Sequence, residues 1–337
     1  MMINFYKEAD LFLKKVFKRL LPYQSELSHL SIDHICYRTC SITEYEAQKI
    51  RFGELGELLI ESMIGGRPIA TFRLHQPLLF DGYHIDLVEV PAPKSSKPTP
   101  SGLEHLEFVI AHNFDWVKKI FGAESISDKG SSKTLNPEIE VTFEDFAIKF
   151  HHMSLQEVIA IEKSVAINKA LKNHHILERL APYHPLISGT IPLRIDINGS
   201  DLDILCQAQD LERFELDCRQ YFSKIEGFKI SRSLHQGLDT LTICFLDGEL
   251  KVELFCQNRI VFHQNANLHF LSEARLLKVL GPLFKEKVIE LKRQGRKTEP
   301  AFGELLNLSH PYEDLIALLS LSERELRERF ISYSSNS

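Results

Sequence analysis

The stretch 188–206 reads SGTIPLRIDINGSDLDILC, with Asp201 and Asp203 one residue apart ahead of an apolar run. Alternate residues of a strand share a face, so this spacing presents two carboxylates side by side. Neighbouring carboxylates repel one another and favour a bridging divalent cation. Gly189 can let the backbone approach a phosphate, which the hydroxyls of Thr190 and Ser200 can hold. A third acid is expected from an adjacent strand. LTICFLDGELKVELF supplies it: Asp247-Gly248 is a hairpin signal, and the second arm delivers Glu253 with Lys251 and Phe255 on the same face. The plainer alternative is a turn that leads into a strand with solvated carboxylates.

A second set of chemical residues lies in the first half. IDHICYRT and LEHLEFVI share the order apolar, acid, His, apolar, variable, aromatic, and recur about seventy residues apart. Strand alternation points His34 with Cys36 and Arg38, and His105 with Glu107 and Val109, while Asp33 and Glu104 point the other way. If the two modules close into one cup, both imidazoles face a common cavity, as ligands or as hydrogen-bonded core residues. Arg67, Arg73 and His75 could line the same cup; a turn position for Arg67 and a solvated face for Arg73 are the plainer readings. Further along, His269 and Glu273 stand at i, i+4 on a helix. That is a metal-ligand spacing, a surface pair or a structural hydrogen bond to the strands. In GRKTEPAF, Arg296 and Lys297 could bind phosphate, and Glu299 before Pro300 marks a helix start.

Two textures position these residues. From Ile32 to His152 short apolar-alternating runs are separated by breakers such as IGGRP, PAPKSSKPTPSG and DKGSSKTLNPE, with helices expected over 43–55 and 113–121. From Ser154 helical periodicity takes over, opened by a Ser154/Glu157 capping box. The N-terminus carries Leu13, Val16, Phe17, Leu20 and Leu21 at helical spacing, an amphipathic helix for docking on a core. The tail SYSSNS reads as disordered. The 337 residues, 44% of them hydrophobic, suffice for two domains, and a net charge of -6 argues against bulk coating of nucleic acid. Six cysteines without a CxxC pair read as reduced thiols, and no apolar run reaches transmembrane length. A cytoplasmic protein without a membrane partner is expected.

The texts IDHICYRT, GELLIESMIGGRPIATFRLHQP, DLVEVPAPK and GLEHLEFVI resemble the YecM family of the vicinal oxygen chelate (glyoxalase/bleomycin-resistance) superfamily. The resemblance implies a pair of βαβββ modules. It also implies metal ligands at one His on the first strand and one Glu on the last strand of each module. Carried over, His34, Glu89 and His105 match three positions; Lys149 stands at the fourth, where a cation would be repelled unless His151 substitutes. Zn, Fe, Mn or Ni with a small oxygen-rich ligand suits such a set. The second half resembles the nucleotidyltransferase superfamily and an uncharacterised bacterial family, a domain of unknown function assigned to that fold. The matching texts are SGTIPLRIDINGSDLDILC, VELFCQ, QNANLHFLSEARLL and GRKTEPAFGELLNL. The implied roles are Mg2+ on Asp201 and Asp203, Glu253 at a second metal or as base, and phosphate contacts from Gly189, Thr190, Ser200 and Lys297. The apolar spacer IPLRIDI, read as extended, and a Glu as third acid depart from the usual pattern.

The expected architecture is therefore α+β in two domains. Residues 1–168 form a paired βαβββ vicinal oxygen chelate cup. Residues 169–330 form a nucleotidyltransferase-like α/β domain with a helical C-terminal part. The leading functional expectation is Mg2+-dependent nucleotidyl transfer from a nucleoside triphosphate to an unknown acceptor. Isomerase, dioxygenase or hydrolase chemistry in the cup, and a non-catalytic ligand sensor, are the alternatives. The cup resemblance also allows a homodimer.

Overall fold

The computed structural model describes residues 2–94, 100–122, 125–133 and 135–334. Parts of the PAPKSSKPTPSG and DKGSSKTLNPE breakers, and the end of the SYSSNS tail, lie outside the described residues. Two compact units divide between Leu155 and Gln156, with Ser322–Arg324 belonging to the first.

The first unit is built on eight strands: β1 Ser31–Arg38, β2 Gly56–Ile64, β3 Arg67–Phe80, β4 Tyr83–Pro91, β5 Gly102–Val109, β6 Ile126–Ser127, β7 Glu138–Thr142 and β8 Ala147–His151. Their order, β2-β3-β4-β1-β5-β8-β7-β6, is two copies of one βαβββ module set head to head. Within each copy the first strand pairs in parallel with the last (β1 with β4, β5 with β8), and β1 and β5 pair antiparallel between the copies. The sequence repeat is thus a structural repeat, and the expected paired cup is the observed architecture.

Local chemistry starts the crossover helices where the sequence placed them. Helix Ile42–Leu55 begins at a reciprocal cap: Glu44 N–H donates to Ser41 Oγ at 3.0 Å, and Cys40 N–H donates to Glu44 Oε2 at 2.7 Å. Helix Phe114–Phe121 begins at Asn113, whose side chain accepts from Trp116 N–H. The N-terminal helix Met2–Leu20 buries Phe5, Ala9, Phe12, Leu13, Val16 and Leu20 in the same core as the strand residues Ile32, Ile35, Leu106 and Phe108. Leu21 falls past the helix end and is exposed. The amphipathic stripe is therefore a docking face.

The second unit has a mixed sheet, order β11-β12-β13-β10-β9, from β9 Leu186–Ser188, β10 Leu202–Gln207, β11 Lys229–His235, β12 Leu238–Asp247 and β13 Leu250–Gln257. Gly248, at φ 63°, turns the β12–β13 hairpin. A helical part follows. Asn265–Arg293 is two helices joined across a kink at Gly281 (φ 77°) before Pro282, where proline cannot continue the hydrogen-bond ladder. No helix among the described residues is long and apolar enough to cross a membrane.

Candidate metal centres

In the first unit the ladder between β1 and β5 sets His34 opposite Glu107 and His105 opposite Cys36. Parallel pairing adds Glu89 beside Cys36 and Lys149 beside Glu107. His34, Glu89 and His105 are thereby brought together, and Glu107 joins them: one ligand atom from each lies within 4.8 Å of the others. His34 Nε2 and His105 Nε2 lie 3.4 and 3.0 Å from Glu107 Oε1. Both nitrogens are buried and neither makes a hydrogen bond of good geometry. A bound cation is one way to satisfy such orphaned buried nitrogens.

The acids that precede each histidine do not turn away as strand alternation predicts. His34 Nδ1–H donates to Asp33 Oδ2 at 2.8 Å, and His105 Nδ1–H donates to Glu104 Oε2 at 2.5 Å. A buried imidazole with an unpaired Nδ1 would lose a hydrogen bond, and the adjacent acid folds back to supply it. The same contact fixes the ring and directs Nε2 into the centre. Asp33 is pinned further by Leu155 N–H at 2.9 Å.

Lys149 does occupy the fourth position, yet its charge is absorbed. Its Nζ lies 2.9 Å from Glu107 Oε1 and 3.7 Å from Glu138 Oε1. His151 does not take its place. His151 Nε2 sits 3.4 Å from Asp33 Oδ2 and 3.3 Å from Glu107 Oε2, forming a second group with Asp33 and His34. Burial works against charging His34, but Glu107 and Asp33 outweigh it and hold its pKa well above the usual imidazole value. His105 is also held well above that value: Cys36 and Glu104 outweigh burial and Lys149. Glu107 goes the other way. Against its own burial, Lys149, His34 and the other histidines keep it ionised far below the ordinary range. Two imidazoles with two carboxylates form a donor set suited to a transition-metal dication. Arg67 is half-buried and donates to Ala92 O at 2.6 Å; Arg73 faces Asp86 at 3.4 Å, and His75 is exposed.

In the second unit, parallel pairing of β10 with β13 aligns Asp203 with Glu253, and β9 sets Ser188 opposite Asp203. Asp201, Asp203 and Glu253 come within 4.8 Å through one oxygen each. The spacer is not extended. Arg194 N–H donates to Ile191 O at 2.9 Å and Ile195 N–H to Thr190 O at 3.1 Å, with Arg194 left-handed at φ 57°. Leu193 and Ile195 are buried, so apolar side chains draw the spacer into a closed turn. That turn brings Gly189 (φ 78°) against Asp203: a Cβ at residue 189 would overlap Asp203 Oδ2. The glycine makes room for the Asp203 carboxylate. Ser200 Oγ accepts from Ile197 N–H at 3.0 Å and closes a second turn, and Thr190 is half-buried beside Gly189.

Lys251 Nζ lies 2.8 Å from Asp201 Oδ2 and 3.4 Å from Glu253 Oε2. Burial, followed by Asp201 and Glu253, pushes the Asp203 carboxyl up to about 8, against the pull of Lys251 and Lys292. Lys292, in the stretch ELKRQG, is not a residue that sequence pattern singles out. It is buried, and its charge acts on Glu273, Asp196, Glu299 and Asp203. Lys297 is exposed at the start of helix Thr298–Leu306, and Arg296 pairs with Glu304 at 3.1 Å. His269 and Glu273 are both buried, which excludes a surface pair. His269 Nε2–H donates to Tyr312 O at 2.8 Å, so its hydrogen bond is structural but runs to a helix rather than to the strands.

Residues 2–162 match the family model described as YecM protein, and residues 169–318 match that of a domain of unknown function, DUF4269. Protein YecM of Escherichia coli (strain K12) is 31% identical over 153 residues, covering 41% of this chain and 81% of that protein. An uncharacterized protein of Haemophilus influenzae (strain ATCC 51907 / DSM 11121 / KW20 / Rd) is 26% identical over 159 residues, covering 41% and 83%. Among solved structures, one titled Structural Genomics, Protein EC4020 is 28% identical with a TM-score of 0.42, covering 48% of this chain and 92% of its own. The Cid1 poly(U) polymerase with MgGTP bound is 16% identical with a TM-score of 0.31, covering 46% of this chain and 50% of its own.

Proposed function

The chain belongs to the YecM family through its first half, and we propose a protein with two divalent-metal centres. The C-terminal centre performs Mg2+-dependent nucleotidyl transfer, and the N-terminal cup holds a transition metal for a small oxygen-rich ligand. The observation that carries the first part is the meeting of Asp201, Asp203 and Glu253 within 4.8 Å, with Gly189 cleared for Asp203. Three carboxylate oxygens are hard donors suited to Mg2+. When bound, Mg2+ supplies positive charge to the phosphate oxygens of a nucleoside triphosphate.

The chain's own residues do the rest. Asp201 and Asp203 hold the cation at the edge of β10. Glu253, on the neighbouring β13, either completes the metal centre or receives a proton from an acceptor hydroxyl. Thr190 and Ser200 stand on the two turns that flank the acids, and their hydroxyls orient phosphate oxygens. Lys292, whose charge reaches Asp203, and Lys297, exposed at a helix start, are the cations available for the remaining phosphates.

The cup reading is favoured by the buried, bond-less Nε2 atoms of His34 and His105. With Glu89 and Glu107 they would hold Zn, Fe, Mn or Ni. Such a metal polarises the oxygens of a bound ligand for isomerisation, hydrolysis or oxygenation. Release of pyrophosphate from nucleoside triphosphates with Mg2+, measured on wild type and Asp203→Ala, tests the first reading. Turnover that survives Asp203→Ala contradicts it. Transition-metal content, expected near one per chain and lost in His34→Ala, tests the second.

A further inference from the structure

Two of the three carboxylates of the C-terminal centre already share a cation, and it belongs to the chain. Lys251 stands two residues before Glu253 on β13, on the same face. Its ammonium lies 2.8 Å from Asp201 Oδ2 and 3.4 Å from Glu253 Oε2. The Asp203 carboxylate instead lies against Gly189, on the β9 side. The ammonium thus takes the gap between Asp201 and Glu253, and it leaves Asp203 and the outer oxygen of Asp201 for an incoming ion. We propose that Lys251 is a built-in substitute for one of the two cations that three such acids would otherwise gather, so that this centre takes a single divalent cation. The proposal rests on the reading of the acids as a nucleotide–metal centre and specifies its stoichiometry.

Three physical arguments support it. Lys251 cancels one carboxylate charge, and the buried Lys292 acts on Asp203 as well, so little negative charge is left to hold a second dication. A second dication between Asp201 and Glu253 would have to displace an ammonium tethered to the same strand and would bring two like charges into one gap. An ammonium also differs from a dication in kind. It is a compact point charge with three donors, so it neutralises carboxylates and hydrogen-bonds to an oxygen, but it offers no open coordination position. Cation dependence at this centre should then follow one binding event.

The test is Mn2+ in place of Mg2+, located by its anomalous scattering in crystals of the full chain grown with a non-hydrolysable nucleoside triphosphate. Location matters because the cup is a separate candidate metal centre. The expected result is one Mn2+ at the Asp201/Asp203 edge of wild type, with Lys251 still on Asp201 and Glu253, and two in Lys251→Met. Lys251→Gln, which keeps the polar stem without the charge, serves as a second variant and should also take two. Two ions in wild type with the lysine displaced would overturn the proposal while leaving nucleotide–metal binding intact. One ion in both variants would overturn it as well, because the lysine would not be what excludes the second. No ion in any of the proteins would overturn both this proposal and the nucleotide reading on which it rests.

Discussion

Glu89 and Lys149 are structural counterparts. Each stands on the last strand of its module, in parallel register with the residue two places past that module's histidine: Glu89 beside Cys36, and Lys149 beside Glu107. The duplication has therefore kept the backbone and exchanged chemistry. Where one module offers a carboxylate beside a thiol, the other offers an ammonium beside a carboxylate. Glu107 carries the donor that Lys149 lacks, and the cup retains two histidines and two acids.

The exchange predicts how Lys149 affects metal binding. Its ammonium, 2.9 Å from Glu107 Oε1, competes with a cation for that oxygen. Lys149→Met should tighten Zn2+ binding in the cup by on the order of tenfold, about 1.4 kcal/mol. Competition against a chromophoric chelator measures it. Affinity that falls on this substitution would mean that Lys149 holds the cup together rather than opposing the ion.

The acids behind the histidines are predicted to matter almost as much as the ligands. Glu104→Gln leaves His105 in place but weakens the contact that aims its Nε2. Losses of about 10- to 100-fold in metal affinity are usual for such changes. The same titration, with circular dichroism to confirm the fold, checks it.

Gly189→Ala should damage the second centre without touching an acid. Left-handed backbone at an alanine costs about 1–2 kcal/mol, and the new Cβ would press on the Asp203 carboxylate. A lowered melting temperature together with loss of Mg–nucleotide stabilisation is expected. A variant that melts lower but binds Mg–nucleotide as wild type does would separate the glycine from the site.

Asp203 gives a pH dependence whose sign is fixed. Burial and the neighbouring acids push its folded carboxyl up to about 8, from an ordinary 3.8. The proton is bound in the folded state and lost in the unfolded one, so this group costs no stability below about pH 4 and increasing stability as pH rises towards 8. Asp203→Asn should therefore stabilise the metal-free protein near pH 8 and leave it nearly unchanged near pH 4. In wild type, Mg2+ must displace that proton, so its apparent affinity should rise about tenfold per pH unit up to roughly pH 8 and then level off. Calorimetric titration at several pH values checks both the slope and the plateau.

Much of this arrangement was legible in the chain. The repeated acid-His pattern at 33–34 and 104–105 located both imidazoles, and the Asp247-Gly248 turn marked the strand that carries Glu253, because strand alternation and hairpin chemistry are local rules; the parallel pairing that sets Glu253 beside Asp203 is not one of them. What escaped depends on pairing across the sheet. Glu107 was read as sharing a face with His105, but only the antiparallel register that sets it opposite His34 makes it a fourth donor. Lys292 is not marked by any motif, and its burial comes from packing that no local pattern records. The spacer IPLRIDI was read as extended from its apolar alternation, yet burial of Leu193 and Ile195 closes it into the turn that brings Gly189 to Asp203.

The most direct test of the C-terminal metal–nucleotide centre is a thermal-shift measurement with Mg2+ and a nucleoside triphosphate on wild type, Asp203→Ala and, as a control in the other unit, His34→Ala. A ligand at about 100 times its dissociation constant stabilises a fold by roughly 2.7 kcal/mol, which a melting curve resolves. The prediction is stabilisation of wild type and His34→Ala and none of Asp203→Ala. Absence of stabilisation in wild type by any Mg–nucleotide, or equal stabilisation of Asp203→Ala, would contradict it.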